Sequence, residues 1–544
     1  MSRTFSGESR NDQIEALKQP GLEVLIIGGG VTGAGIALDA QVRGFKTGII
    51  DQHDFSSGSS SRTNKLIQGG VSDLKHMDVK TFAELGRERS IILDNAPHLV
   101  APLTMLLPVY KKGAFGRIQA SLSLRVYDRL VELNKKDRRH MLNKRQAQKQ
   151  EPLLKTDNLK SAGLYNEFQT NDARLTIEVL KVASARGART ASYLKAESFL
   201  YEQGKVAGVM AVDQITGEAH KIYAKYIVNA SGALIDDLRE QDRSLEGQRQ
   251  PYLEKIHIVL DRQSLPIQQG IYFENEDGHM LYAIPFGEKI YVGPKEVDST
   301  NPSNQYTHEA DYLLNALNQI FPSVQLLREH IESVWLDHEP PQTYKRYSKT
   351  DEVIISTSGL RSVHSNQMAG YRLLAERVVD SIEKENGQSI GSQTDSITLS
   401  GGQVGGVDRF DTFLKTKAAE GESLGIAYDE AYALSILYGS NITNIWSRVR
   451  TSRRRASESG LPPILFAQLT YAIDEEMVIS PLDFLVRRTH ALYFNRKLME
   501  KWMDPVFRYM QERFQWDEQE SLLWQNQMDH ELKTTSLVYP ENEH

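Results

Sequence analysis

Six residues near the start of the chain, Gly28-Gly29-Gly30-Val31-Thr32-Gly33, satisfy G-x-G-x-x-G. The chemistry of that spacing is anion binding by backbone. Gly28 permits a tight turn, Gly30 lets the main chain approach a pyrophosphate, and Gly33 allows a helix to pack closely on a strand, its positive end facing the anion. Asp51 follows 18 positions after Gly33, where a carboxylate accepts a ribose hydroxyl. An isolated glycine fingerprint is also met in turns that hold no ligand. Here the apolar run Val-Leu-Ile-Ile from Val24 precedes it, a helical spacing at Val31, Ala34, Ala37, Leu38 and Val42 follows, and a second strand runs from Thr47 to Ile50. That context fits a dinucleotide-binding βαβ unit. It does not separate FAD from NAD, and Asp51 argues against NADP, whose extra phosphate it would repel.

The elements that must position these residues need more than one core. At 544 residues the chain predicts two to four units at roughly 100–200 residues each. Residues 1–20 read as a flexible polar leader. Residues 21–400 read as the nucleotide-binding domain, with strand-like runs at Ala101–Tyr110, Ser192–Tyr201, Val206–Val212, Ala224–Asn229, His257–Asp261, Gly270–Phe273, Met280–Ile284, Lys289–Val292 and Val353–Thr357. Helices are expected over Thr307–Phe321 and Gly370–Glu383, and residues 134–149 read as a basic, loop-like connector. The polar stretch Glu385–Asp395 reads as a linker, and from 405 to 544 the periodicity is helical, with Ser480-Pro481-Leu482-Asp483 a good helix start.

Composition removes several classes. Zero cysteines exclude disulfides, thiolate nucleophiles and Cys-ligated metal centres. A net charge of −7 argues against a general nucleic-acid binder. The first apolar run is broken by glycines and follows an acidic leader, unlike a signal peptide, and no stretch approaches the ~18 apolar residues of a membrane span. A cytoplasmic protein is expected, with peripheral contact at the inner face of the cell membrane as a further possibility. The cluster Arg448, Arg450, Arg453, Arg454 and Arg455 is either a solvated helix face or a contact for anionic lipid.

The stretch from Asp54 to Leu66, DFSSGSSSRTNKL, is followed by Gly69-Gly70, Gly86-Arg87-Glu88-Arg89, Asn95-Ala96-Pro97-His98-Leu99, Asn171-Asp172-Ala173-Arg174-Leu175-Thr176, Val228-Asn229-Ala230-Ser231-Gly232, Gly370-Tyr371-Arg372 and Asp483-Phe484-Leu485-Val486-Arg487-Arg488-Thr489. Together they resemble the FAD-dependent glycerol-3-phosphate dehydrogenase and α-glycerophosphate oxidase family, over about 23 to 520. The resemblance implies an α/β (α+β) fold: an FAD-linked Rossmann-like two-dinucleotide-fold domain, an interleaved antiparallel-sheet substrate domain at about 250–345, and a C-terminal all-helical domain. It implies FAD as cofactor, oxidation of sn-glycerol 3-phosphate to dihydroxyacetone phosphate, a quinone or oxygen as acceptor, and a homodimer as one possible assembly.

Carried over residue by residue, the resemblance puts Gly28, Gly30, Gly33, Asp51, Ser60, Ser61, Lys65, Ala196, Ser231, Gly232 and Gln367 at the cofactor, and His257 as the base. Asp51 stands where a glutamate is usual, and Ala233-Leu234 where Pro-Trp follows. The substrate side departs further. His-Gly-Gly-Leu-Arg-Tyr is Gln68-Gly69-Gly70-Val71-Ser72-Asp73 here, the Gly-Leu-Arg-Pro arginine falls on Glu339, a second arginine falls near Lys349, and the flavin-edge lysine becomes Gln367. Lys295, Lys349 and Arg361 are the cations that could rebuild a phosphate pocket, though lysines such as Lys295 and Lys349 are more commonly solvated. His257 in an apolar strand reads equally as a packed core histidine. Three functions follow: a dehydrogenase of this type, a flavin-binding paralogue without catalysis, or an oxidoreductase for another hydroxy compound.

Overall fold

The computed structural model describes residues 4–67, 79–111, 140–247, 249, 252–297, 306–339, 352–365 and 368–537. Strand Val24–Ile27 is buried at all four positions because it is covered on both faces. Val24 and Ile26 pack with helices Val31–Val42, Asp172–Ala185 and Tyr371–Glu385. Leu25 and Ile27 point the other way, into a core shared with the antiparallel strands Leu194–Glu202, Lys205–Asp213 and Ala219–Tyr223. An unbroken apolar run is what a doubly covered parallel strand requires.

This strand lies centrally in a six-stranded sheet of order Glu352–Ile355, Arg361–His364, Tyr226–Asn229, Val24–Ile27, Thr47–Ile50, Arg189–Ala191. All pairings are parallel except that of Glu352–Ile355 with Arg361–His364. A second sheet of eight strands runs Ile331–Glu339, Leu253–Asp261, Lys289–Glu296, Met280–Phe286, Gly270–Glu274, Val100–Tyr110, Leu159–Thr170, His140–Asn143. Its one parallel contact joins Gly270–Glu274 to Val100–Tyr110. The second sheet therefore takes strands from well before residue 250 as well as from 250–345. Helix Thr307–Ile320 packs on one of its faces. Helices of the C-terminal region, carrying Phe466, Leu485, Phe494 and Trp524, cover the other.

Two local expectations are corrected and a third is refined. Residues 4–18 are not a flexible leader: Arg10–Lys18 is a helix whose Ile14 and Leu17 are buried, and Arg10 makes a two-pronged ion pair with Asp213 (2.8 and 2.9 Å). Within the stretch read as a loop-like connector, His140–Asn143 is a strand and Lys144–Gln150 a helix, capped by the Asn143 side chain on Gln146 N at 3.0 Å. The helix start at Ser480 is borne out, its hydroxyl accepting from Asp483 N at 3.3 Å, and the helix continues as a six-residue π-helix, Asp483–Arg488.

Candidate functional site

The fingerprint occupies the turn between strand Val24–Ile27 and helix Val31–Val42. Gly28 has φ +111°, and a Cβ there would lie 2.3 Å from the carbonyl oxygen of Ala230 on the adjoining turn. Gly33 has no room either: its Cβ would stand 1.9 Å from the Gly28 carbonyl oxygen. Gly30 differs, because its Cβ would meet only the Ser60 hydroxyl, at 2.9 Å. That hydroxyl accepts from Val31 N at 3.0 Å, at the helix N-terminus.

Around this turn lies a cavity of about 890 Å³, lined among others by Gly28, Gly30, Asp51, His53, Ser57–Ser60, Ala196, Ser231, Gly232, Asp337 and His364. Its volume is at the large end of small-molecule sites, which run roughly 300–1,000 Å³. Asp51 sits at the end of its strand, its carboxylate accepting from Gly29 N (2.7 Å) and His53 N (2.9 Å). Burial pushes its carboxyl up to about 6. Partial desolvation lowers His53, whose side chain keeps an exposed side, with the Arg487 and Arg62 charges acting in the same direction. Asn229, fully buried at the end of its strand, shapes the Ser231–Gly232 turn: its side-chain oxygen accepts from the Ser231 hydroxyl at 2.6 Å, and its amide donates to Ile235 O at 2.9 Å. A helix terminus free of bulk at Gly30, with a half-buried acid at the next strand end, fits a dinucleotide with its pyrophosphate at Gly30 and a ribose at Asp51.

Ser61 and Lys65 are not among the residues lining this cavity; they fasten its loop from behind. The Lys65 ammonium is 1% exposed and donates to both Asp172 oxygens (2.8 Å each) and to Ser61 O at 2.5 Å. Asp172 also accepts from Thr63 N and Oγ1. Gly33 lies beneath the turn. Gln367 and Lys349 fall outside the described residues, as do residues 68–73.

Arg361 and His364 part company because they are three positions apart on one strand and so face opposite ways. His364 lines the cavity. Arg361 instead pairs with Glu385, donates to Gly359 O and stacks on Tyr226. Lys295 places its ammonium over the Tyr312 ring, 4.6 Å from the centroid, and is not among the cavity's lining residues. Among the described lining residues the lysine and arginine side chains are Lys195 and Arg249. Both are ion-paired, Lys195 with Glu197 and Arg249 with Asp237 and Glu240.

His257 is 1% exposed. Its ring stacks on Trp335 at 4.8 Å and 9°, and Nε2 is 2.6 Å from the Tyr282 hydroxyl. Burial first, then the Lys255 and Lys65 charges, drive its pKa down to about 3. Nδ1 has no hydrogen-bond partner among the described residues. The ring is not part of the cavity lining, yet it is close in register: His257 lies opposite Trp335, and Lys255 opposite Asp337, which does line the cavity.

Two features escaped the residue-by-residue reading. Asp337 belongs to the lining, but a buried acid inside a strand gives no alternation signal. Asp54, beside the cavity, is held by Arg487 and Arg488 of the C-terminal π-helix; the sequence contains the two ends of this contact, 433 residues apart, without linking them. In the basic cluster, Arg448 pairs with Asp474 and Glu475, Arg454 pairs with Glu458, and Arg453 donates to Leu424 O. Among the described residues no helix is long and apolar enough to cross a membrane.

A family model described as FAD dependent oxidoreductase matches residues 23–358. Another, described as the C-terminal domain of alpha-glycerophosphate oxidase, matches 392–521. The chain is 40% identical over 532 residues to the aerobic glycerol-3-phosphate dehydrogenase of Bacillus subtilis, covering 95% of this chain and 96% of that protein. It is 39% identical to the protein of that name from Staphylococcus aureus, covering 91% of each. Among solved structures, the glycerol-3-phosphate dehydrogenase from Bacillus halodurans complexed with FAD superposes with a TM-score of 0.85 at 39% identity, over 98% of this chain and 99% of that one. The L-alpha-glycerophosphate oxidase of Mycoplasma pneumoniae shares the fold, with a TM-score of 0.55 at 14% identity over 68% of this chain and 96% of that one.

Proposed function

This chain belongs to the FAD dependent oxidoreductase family, and we propose that it oxidises sn-glycerol 3-phosphate at C2 to dihydroxyacetone phosphate, electrons passing on to a quinone or to oxygen. The observation that carries this reading is a dinucleotide cavity, built on Gly28, Gly30 and Asp51, in a chain that matches aerobic glycerol-3-phosphate dehydrogenases along nearly its whole length. When bound, FAD supplies the acceptor for the hydride leaving C2. The chain's own groups do the rest. Gly30 and the helix terminus hold the pyrophosphate, Asp51 the ribose, and Ala196, Ser231 and Gly232 wall the nucleotide half of the cavity. His257 is the proposed acceptor of the C2 hydroxyl proton. Its imidazole is neutral and Nδ1 is unengaged among the described residues, and the substrate would approach from the Asp337 end of the shared face.

A second reading is favoured by one observation. The described cations lining the cavity are already paired with carboxylates, an arrangement that suits a hydroxy compound without a phosphate, or a flavin protein that has lost turnover. Anaerobic titration decides. Bleaching of the bound flavin by glycerol 3-phosphate supports the first reading. A yellow protein unaffected by it, whether or not a non-phosphorylated alcohol bleaches it, overturns that reading. A purified chain without flavin absorption overturns the cofactor assignment. If His257 is the base, His257→Ala slows flavin reduction by about 10²–10⁴-fold; an unchanged rate removes it from the reaction.

A further inference from the structure

We infer that the C-terminal helical region sets the shape of the nucleotide site through Asp483–Arg488, with Asp54, Tyr193, Arg487 and Arg488 as positioning residues for the cofactor. The inference rests on the FAD reading above. Asp54 lies three residues beyond Asp51 and is wholly buried. Its carboxylate accepts from Arg487 Nε at 2.5 Å and from Arg488 Nη1 and Nη2 at 2.8 and 3.0 Å. Two adjacent arginines converge on one carboxylate where the helix is π rather than α, a local geometry that recurs at functional sites.

From Asp54 the restraint runs into the cavity wall by direct contacts. Phe55 packs so tightly on Gly29 that a Cβ there would lie 2.2 Å from its ring. Ser56 N donates to Gly29 O at 3.0 Å and its hydroxyl to Ser60 O at 2.9 Å. Ser60 in turn meets the helix terminus at Val31 N. The same segment grips the other side of Asp51. Arg487 Nη2 donates to Asp483 Oδ1 at 2.7 Å, and that oxygen accepts the Tyr193 hydroxyl at 2.6 Å. Tyr193 N donates to His53 O, and Leu194 N to Asp51 O, two positions before Ala196 of the lining. One six-residue segment thus fixes both loops that flank the ribose acid. Buried ion pairs contribute little net stability against apolar packing of the same volume, whereas forked carboxylate–guanidinium bonds fix direction, so their use here points to geometry.

The test uses the full chain, stripped of flavin and titrated with FAD, with the thermal midpoint of each flavin-free sample recorded alongside. Asp54→Asn and Tyr193→Phe should each raise the FAD dissociation constant about tenfold. Asp54→Asn combined with Arg488→Gln should weaken binding by less than the product of the two single effects, since both break one contact. A lowered midpoint with FAD affinity within about twofold of the unaltered chain would make the contacts merely structural and overturn the inference. Should Asp54→Asn fail to fold, Tyr193→Phe, which leaves every charge in place, carries the test: an unchanged dissociation constant refutes the role. Failure of the unaltered chain to bind FAD would instead refute the FAD reading on which the inference stands.

Discussion

Gly33 and Gly28 are joined by a contact that admits no side chain: a Cβ on Gly33 would lie 1.9 Å from the Gly28 carbonyl oxygen. The obstacle is backbone on a turn that is itself pinned by Gly28 N on Ile50 O at 2.8 Å, so neither side can yield cheaply. Gly33→Ala is therefore expected to cost about 1–3 kcal/mol in urea unfolding and to purify with less flavin per chain. Gly30→Ala, which meets only the Ser60 hydroxyl, should leave folding nearly intact while still lowering flavin content.

Asp51 gives the site a pH signature. Its carboxyl, ordinarily near 3.8, is raised to about 6 by burial. A raised carboxyl binds more protons folded than unfolded, so its effect on stability worsens as pH rises from about 4 to about 6 and then levels off. Ribose hydroxyls donating to the carboxylate favour its ionised form, so nucleotide binding should release a proton in that window. FAD affinity of the flavin-free chain is expected to rise between about pH 5 and about pH 7. Asp51→Asn should bind more weakly and lose the pH dependence; a variant that keeps the slope would assign it to another group.

The Lys65–Asp172 pair is closed to solvent on both sides, at 1% and 0% exposure. Lys65→Met or Asp172→Asn alone should lower unfolding free energy by about 3–5 kcal/mol, because each strands a buried partner. The double variant should recover part of that loss. Chemical denaturation of the four proteins measures it.

Three buried histidines should make the protein acid-sensitive. Burial and neighbouring cations lower His98 and His257 to about 3, and lower His490 as well. Each is then less protonated folded than unfolded, so its stabilising contribution is complete above about 6.5 and is lost as pH falls toward 3. Proton uptake on unfolding between about pH 4 and about pH 6 should drop by about one for His98→Asn.

How much was legible follows from where polar residues sit. Strand Val24–Ile27, the glycine turn and Asp51 could be read directly, since all four strand positions are apolar and the turn chemistry is local. Two of the hidden strands turn polar residues inward. Ile331–Glu339 turns Ser333 and Asp337 inward, Ser333 to donate to Tyr493 O at 2.6 Å and Asp337 to line the cavity, which erases the alternation of period two. Leu159–Thr170 buries Glu167 in the same way. The N-terminal helix escaped because its anchor, Arg10 on Asp213, is a contact across 203 residues. Lys65 was legible as a member of its loop but not as an ion pair with Asp172. For Arg361 the residue type suggested a phosphate ligand, while strand parity turned its side chain to Glu385.

The path of the chain through its sheets has a consequence for synthesis on the ribosome. The glycine turn is made well before one neighbour of its strand, Tyr226–Asn229, and that neighbour precedes its own partner, Arg361–His364. The arginines that close on Asp54 come 433 and 434 residues after it. Val24–Ile27 thus stays unpaired on one edge until Tyr226–Asn229 has been made, and a product stalled before that point carries an open apolar strand. The nucleotide site, begun at Gly28, is finished only once Arg487 and Arg488 have been made.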